Sequence, residues 1–420
     1  PSTSGLLDAC SWDESKQEIE FTGAIPQVQR VIKRIRGGKP RPRFDCVNQI
    51  LDRLKDETGI CIAIVSEKDG MGKTTLAAQV ASPHAIKRSY TVLWLSIDQD
   101  AGEELTYEQY KRFLDLLCEQ LSVQHSWPEL ISRFEDSGLK HMREKALMLE
   151  CKTIMSETLS DRDKYLLVVD NVTDDSFLPW FQFCGHQTTL LTTIRDNLSG
   201  IDWFSRLEPM CEDEAVELFL REAKLPDCHA LKSTFEMQNI VRVCECVPLY
   251  VRTVARWYFM KQVTAGQTNA LLEIHDDLQN LIEPGPEDLE EEPHLRLFDI
   301  TSLMMGPLEV DTSEPAMPLI VCLCSLSTVL PEREALDVVI MLNEQVVKKE
   351  EHPTQSTDTW RLQVSKKAWL SIEGLLHLGV ISIYDEQKNP WVEIHHSLYR
   401  SFGVIMAQRL SWISAFEDTI

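Results

Sequence analysis

The chain has 420 residues, 43% of them hydrophobic and 26% charged, and a formal net charge of −24. That balance belongs to a globular protein with room for roughly two to four domains. The acidic surplus excludes a chain-wide nucleic-acid binder, which needs clustered Lys and Arg, and no apolar run approaches the roughly 18 residues that span a bilayer.

Residues 1–43 read as a polar tail followed by a basic linker. Arg30, Lys33, Arg34, Arg36, Lys39, Arg41 and Arg43 gather there, as a solvated linker or as a patch for an acidic partner. No basic-plus-apolar secretory segment opens the chain, although Pro1 leaves room for an earlier start. A first domain is expected over 44–210. It begins with a helical spacing of Val47, Ile50, Leu51 and Leu54. An apolar strand at 60–65 precedes a helix at 73–81. A strand at 90–97 and helices at 107–121 and 145–159 follow, then strands at 165–169 and 189–193. Strands that are apolar on both sides and alternate with helices predict an α/β domain, a parallel sheet covered on both faces.

From 211 to 292 a helical domain and an acidic linker are expected. One helix starts around Ala215, Leu218 and Phe219, and another runs from 240 to 255. Pro284, Pro286 and Pro293 stand among acidic residues in the linker. Residues 293–408 read as a winged-helix domain: apolar helices, then a hairpin of strands 380–384 and 391–394. A tail, 409–420, closes the chain. The cysteines lie in apolar segments, which predicts reduced, buried thiols in a cytoplasmic protein. The pairs Cys244/Cys246 and Cys322/Cys324 lack the Cys-x-x-Cys or paired-His spacing of zinc sites.

The sharpest motif is Gly70-Met71-Gly72-Lys73-Thr74-Thr75, between a predicted strand and a predicted helix. Glycines let backbone N–H groups curl around phosphate oxygens, and a helix N-terminus adds partial positive charge. Lys73 is placed to reach the β- and γ-phosphates, Thr74 to ligate Mg²⁺, and Thr75 to sit near the α-phosphate. Asp170 ends the apolar run Leu166–Val169, where a carboxylate serves as the Mg²⁺ partner of such a loop. Thr193 and Arg195, at the end of the next strand, are candidates for sensing a γ-phosphate.

In this order the pieces resemble the NB-ARC group of STAND-type P-loop signalling ATPases, which includes apoptosome scaffolds and plant disease-resistance proteins. Beside the loop and Asp170, the likeness rests on Trp94-Leu95-Ser96, on Leu191–Asp196 and on the acidic entry at Glu212 and Glu214. Cys246-Val247-Pro248-Leu249 and Ile394-His395-His396 complete it. It covers roughly residues 40–405. The resemblance implies ATP or ADP (or dATP) with Mg²⁺ as ligand, Pro248 against the adenine and His395 on the β-phosphate of ADP. It also implies self-association into a ring-like oligomer on activation, with effector and sensor protein partners, in cell death or innate defence. Neither a membrane nor nucleic acid is an expected partner.

The chain departs from the family at four places. Glu67 stands for the loop's first Gly, Asn171 for the second acidic residue after the strand, Ile194 for the sensor Arg and His396 for a final Asp. Asn cannot accept a proton from water, so nucleotide binding without fast hydrolysis is expected, at most a slow ATPase. Two other classes remain: a degenerate nucleotide-binding scaffold without turnover, and a winged-helix transcription regulator.

Overall fold

A computed structural model describes residues 44–282 except 57–58, 67, 82–89, 98–104, 129–136, 161–163, 173–174, 184–187, 195–199, 226–228 and 266–269; beyond Ile282 it describes three strands only. The chain divides into two compact units, one holding Lys73–Leu207 and the chain before Lys68, the other Lys68–Gly72 and the chain from Glu208.

The first unit is built on a parallel sheet. Its elements are α1 (Phe44–Asp56), β1 (Cys61–Val65), α2 (Lys73–Val80), β2 (Thr91–Ser96), α3 (Tyr107–Leu121), α4 (Ser137–Leu159), β3 (Tyr165–Val172), α5 (Leu178–Phe181), β4 (Thr188–Ile194) and β5 (Trp203–Arg206). The strand order is β2-β3-β4-β1-β5, with every pairing parallel. Successive side chains of a strand point to opposite faces, and β1 shows the consequence. Cys61, Ala63 and Val65 pack into a core with Tyr110 and Leu114 of α3, Met155 of α4 and Phe181 of α5. Ile62 and Ile64 pack on the other face with Ile50 and Leu54 of α1 and Leu76, Ala77 and Val80 of α2. A strand buried on both sides must be apolar throughout, which is why the periodicity in this region is continuous and not alternating.

The parallel sheet with helices on both faces agrees with the sequence expectation. Predicted and observed bounds differ by a residue or two in most elements. The larger differences have local causes. Helix α4 starts at Ser137, before the predicted 145; its first turns carry Lys140, His141, Arg143 and Glu144, and Leu139 and Met142 among them are exposed, so no core-facing side marks the start in the sequence. Strand β3 continues past Val169 to Val172 through an irregularity in its pairing with β4. Strand β5 was not legible: Trp203-Phe204-Ser205-Arg206 buries only Ser205. Its place is set by pairing to β1, by Asp202, whose carboxylate accepts from Cys61 N at 2.7 Å, and by Arg53 stacked 5.8 Å over the Trp203 ring.

Edge strand β2 has a second device. The Gln120 side chain on α3 accepts from Trp94 N at 2.8 Å and donates to Trp94 O at 2.9 Å. These backbone groups face away from β3, on the open edge, and would otherwise be buried without partners.

Beyond the loop segment the second unit is helical as far as Ile282: α6 (Glu212–Glu222), α7 (His229–Lys232), α8 (Phe235–Val243), α9 (Pro248–Ala265) and α10 (Ala270–Ile282). The helix expected over 240–255 is two helices. Pro248 lacks an N–H and disfavours a helical residue before it, so α8 ends at Val243 and α9 starts with Pro248 in its first position. Between them Glu245 and Cys246 have φ of 51° and 54°, a left-handed turn. A three-stranded sheet follows: β6 (Leu330–Pro331), β7 (Ile381–Glu386) and β8 (Asn389–Ile394), in the order β6-β8-β7. The expected hairpin is the antiparallel pair β7–β8, with Glu386 opposite Asn389. The helices expected around it lie outside the described residues.

Candidate functional site

The carboxyl ends of β1, β3 and β4 set the site in the first unit. Strand β4 lies between the other two, so Thr193 is flanked by the chain leaving β1 and the chain leaving β3. The Asp170 carboxylate is almost fully buried. Its Oδ1 accepts from Thr193 Oγ1 at 2.6 Å and from Thr74 Oγ1 at 2.9 Å. Burial pushes the Asp170 carboxyl above its ordinary range, while the hydroxyls of Thr193 and Thr74, the charge of Lys73 and the backbone of Asn171 act in the opposite direction. A desolvated carboxylate held by two hydroxyls is short of positive charge, the condition a divalent cation relieves. Lys73 Nζ donates to Ser66 O at 3.4 Å. Helix α2 begins at Lys73 with no acidic residue of its own in the first turn, so the carboxylate described at this helix end, Asp170, comes from β3.

The structure thus brings together Lys73, Thr74, Asp170 and Thr193, all singled out in the sequence. Thr75 is half-buried in the first turn of α2. Arg195, His395 and Glu67 lie outside the described residues.

Within the second unit, Gly70 and Gly72 take φ of 75° and 90°, values that L side chains adopt at a cost. Met71 is buried. Gly70 O accepts from Leu249 N at 3.2 Å, next to the half-buried Pro248. Lys68 forms an ion pair with Glu245 of the α8–α9 turn.

Two residues that sequence reasoning did not assign to the arrangement take part in it. Asn171 was marked only as a departure, yet its backbone N donates to Thr193 Oγ1 at 2.8 Å and its Nδ2 to Ile97 O at 2.9 Å. Ser66 supplies the carbonyl to Lys73 and donates its N–H to Ile194 O at 3.2 Å. A backbone role carries no side-chain signature. Ile194, standing where the family has Arg, is buried in the core beside Leu190.

Buried thiols favour the protonated form. Burial raises Cys61, Cys118 and Cys151 to about 11. Cys211 departs from the expectation of burial: it is exposed, at the start of α6.

Residues 43–224 match the NB-ARC domain. A protein described as a probable disease resistance protein of Arabidopsis thaliana is 24% identical over 212 residues, which are 50% of this chain and 24% of that protein. Among solved structures, a STAND signal-transduction ATPase with a tetratricopeptide repeat sensor from Pyrococcus horikoshii matches with a TM-score of 0.39 and 12% identity, over 85% of this chain and 41% of the other. Cdc6p from Pyrobaculum aerophilum matches with a TM-score of 0.39 and 13% identity, over 88% and 93%.

Over residues 43–224 the chain is thus similar to an NB-ARC domain, a P-loop nucleotide-binding unit. The chain spans about a quarter of the length of the curated relative it matches. Among the described residues no helix is long and apolar enough to cross a membrane.

Proposed function

We propose that the chain is the core of an ATP/ADP-dependent conformational switch that controls assembly of a signalling complex. The observation that carries this reading is the convergence of the Thr74 and Thr193 hydroxyls on the buried Asp170 carboxylate. Thr74 and Asp170 would hold Mg²⁺, Lys73 the terminal phosphates and Gly70–Thr75 the phosphate backbone. A bound Mg²⁺ would supply positive charge that the buried carboxylate lacks. Pro248 would pack on the adenine, while Arg195 and His395 would report the γ-phosphate and the β-phosphate.

The working unit would comprise the nucleotide domain (44–210), the helical domain with its acidic linker (211–292) and a winged-helix domain (293–408). ADP would favour a closed monomer and ATP an open form that self-associates into a ring, with effector and sensor partners in cell death or innate defence. A nucleotide shifts such an equilibrium only by its difference in affinity for the two states. A difference of about 5.5 kcal/mol moves the population from about 1:99 to about 99:1.

The test is the nucleotide content of the purified, acid-denatured protein, read by ion-exchange chromatography. Near-stoichiometric ADP is the expected result. An empty protein, with no thermal shift on adding ATP or ADP with Mg²⁺, would refute the switch and favour a scaffold without a working nucleotide site.

A further inference from the structure

The β3–β4 ladder is regular from Tyr165 opposite Thr188 to Val169 opposite Thr192, and resumes at Val172 opposite Ile194. Asp170 and Asn171 therefore stand against the single residue Thr193. This is a β-bulge, two residues against one, a device that re-aims a side chain next to functional sites. It sits within the Thr74–Asp170–Thr193 cluster.

The bulge depends on Asn171, whose φ is 64°. Among side-chain-bearing residues, Asn is one of the few that enter the left-handed region readily. Three hydrogen bonds fix it there. Its Nδ2 donates to Ile97 O at 2.9 Å, closing the end of β2 onto β3. Ile97 N donates to Asp170 O at 2.9 Å, so the same junction grips both bulge residues. The Asn171 N–H donates to Thr193 Oγ1 at 2.8 Å. That last bond occupies an acceptor site on the hydroxyl and directs its proton to Asp170 Oδ1, 2.6 Å away.

The geometry points to Asn171 as a positioning residue for the cation-binding carboxylate: its left-handed backbone and its amide to Ile97 hold the bulge that aims Asp170 at Thr74. This rests on the nucleotide reading above and deepens it. An Asp at 171 could adopt the same backbone, but it would set a carboxylate oxygen where an N–H now meets the Ile97 carbonyl. Acceptor would face acceptor. The side chain at 171 is thus engaged as a donor, which accounts for an amide at this position in terms of geometry alone.

The test compares nucleotide affinity with Mg²⁺ and with EDTA, by calorimetry with ADP, in the wild-type chain and in Asn171→Asp, Asn171→Gly and Asn171→Ala. Asn171→Asp and Asn171→Ala should lose roughly tenfold or more of the Mg²⁺-dependent affinity, as residues that orient a metal ligand commonly do. Asn171→Gly, which keeps the backbone conformation and lacks only the amide, should lose less than Asn171→Ala. Affinity in EDTA should be unchanged in all three, and Asn171→Asp should not raise ATP turnover. Equal losses with and without Mg²⁺ would reduce the residue to a structural one and overturn the proposal, as would an Asn171→Asp chain with wild-type Mg²⁺ dependence or faster turnover. A wild-type chain without nucleotide affinity would instead overturn the switch reading itself.

Discussion

Gly70→Ala probes the loop where the structure leaves least room. Gly70 has a φ of 75°, and a Cβ placed on it would lie 2.6 Å from Leu249 Cβ, 3.0 Å from Cδ2 and 3.3 Å from Cγ. The left-handed conformation alone costs Ala about 1–2 kcal/mol. The overlap adds about 1–3 kcal/mol, the range for a methyl forced into a filled space. Together these give about 2–5 kcal/mol, a large part of an ordinary domain's stability of about 5–15 kcal/mol. The nearest obstacle is a Cβ rooted in the first turn of α9, not the end of a flexible side chain. Leu249→Ala keeps that atom and should leave the cost of Gly70→Ala nearly unchanged. Leu249→Gly removes it, so Gly70→Ala should cost less in that background even though Leu249→Gly is destabilising by itself. Urea unfolding of the four chains of each double-mutant cycle measures the coupling. A Gly70→Ala chain within about 0.5 kcal/mol of wild type, the range of an inconsequential surface change, would show that the loop does not press on α9. Equal relief by Leu249→Ala and Leu249→Gly would place the clash at the side-chain tip instead.

Asp170→Asn should separate stability from ligand binding. Burial holds the Asp170 carboxyl above its ordinary range, so the folded chain binds that proton more tightly than the unfolded chain. Its contribution to stability is complete below the unfolded carboxylate pKa and is lost as pH rises through the folded value. The variant should therefore show a flatter decline of stability from acid towards neutral pH in urea titrations and should lose Mg²⁺-dependent nucleotide binding; a decline parallel to wild type refutes the assignment. Gln120→Ala should strand the buried Trp94 N–H and C=O at the sheet edge. At about 1–3 kcal/mol for each unsatisfied group, the loss is about 2–6 kcal/mol, measurable by the same unfolding. Gln120→Glu, which keeps an acceptor for Trp94 N and loses the donor to Trp94 O when ionised, should be destabilised at neutral pH and partly recover in acid.

The sequence by itself determined the parallel sheet, the loop and the carboxylate that answers it. Strands buried on both faces must be apolar throughout, and a phosphate loop needs Gly, Lys and Thr in fixed order between strand and helix. Both requirements act over a few neighbouring residues, so they leave a local trace. Tertiary structure alone decided that Trp203–Arg206 joins β1 as a strand, because its pairing comes from Asp202 and Arg53 and not from its own composition. It also decided that Gln120 closes an edge and that Asn171 shapes the bulge aiming Asp170. In each of these at least one side chain meets a backbone group distant along the chain. A backbone N–H or C=O is the same at every residue, so the sequence carries no mark of which one a side chain will meet.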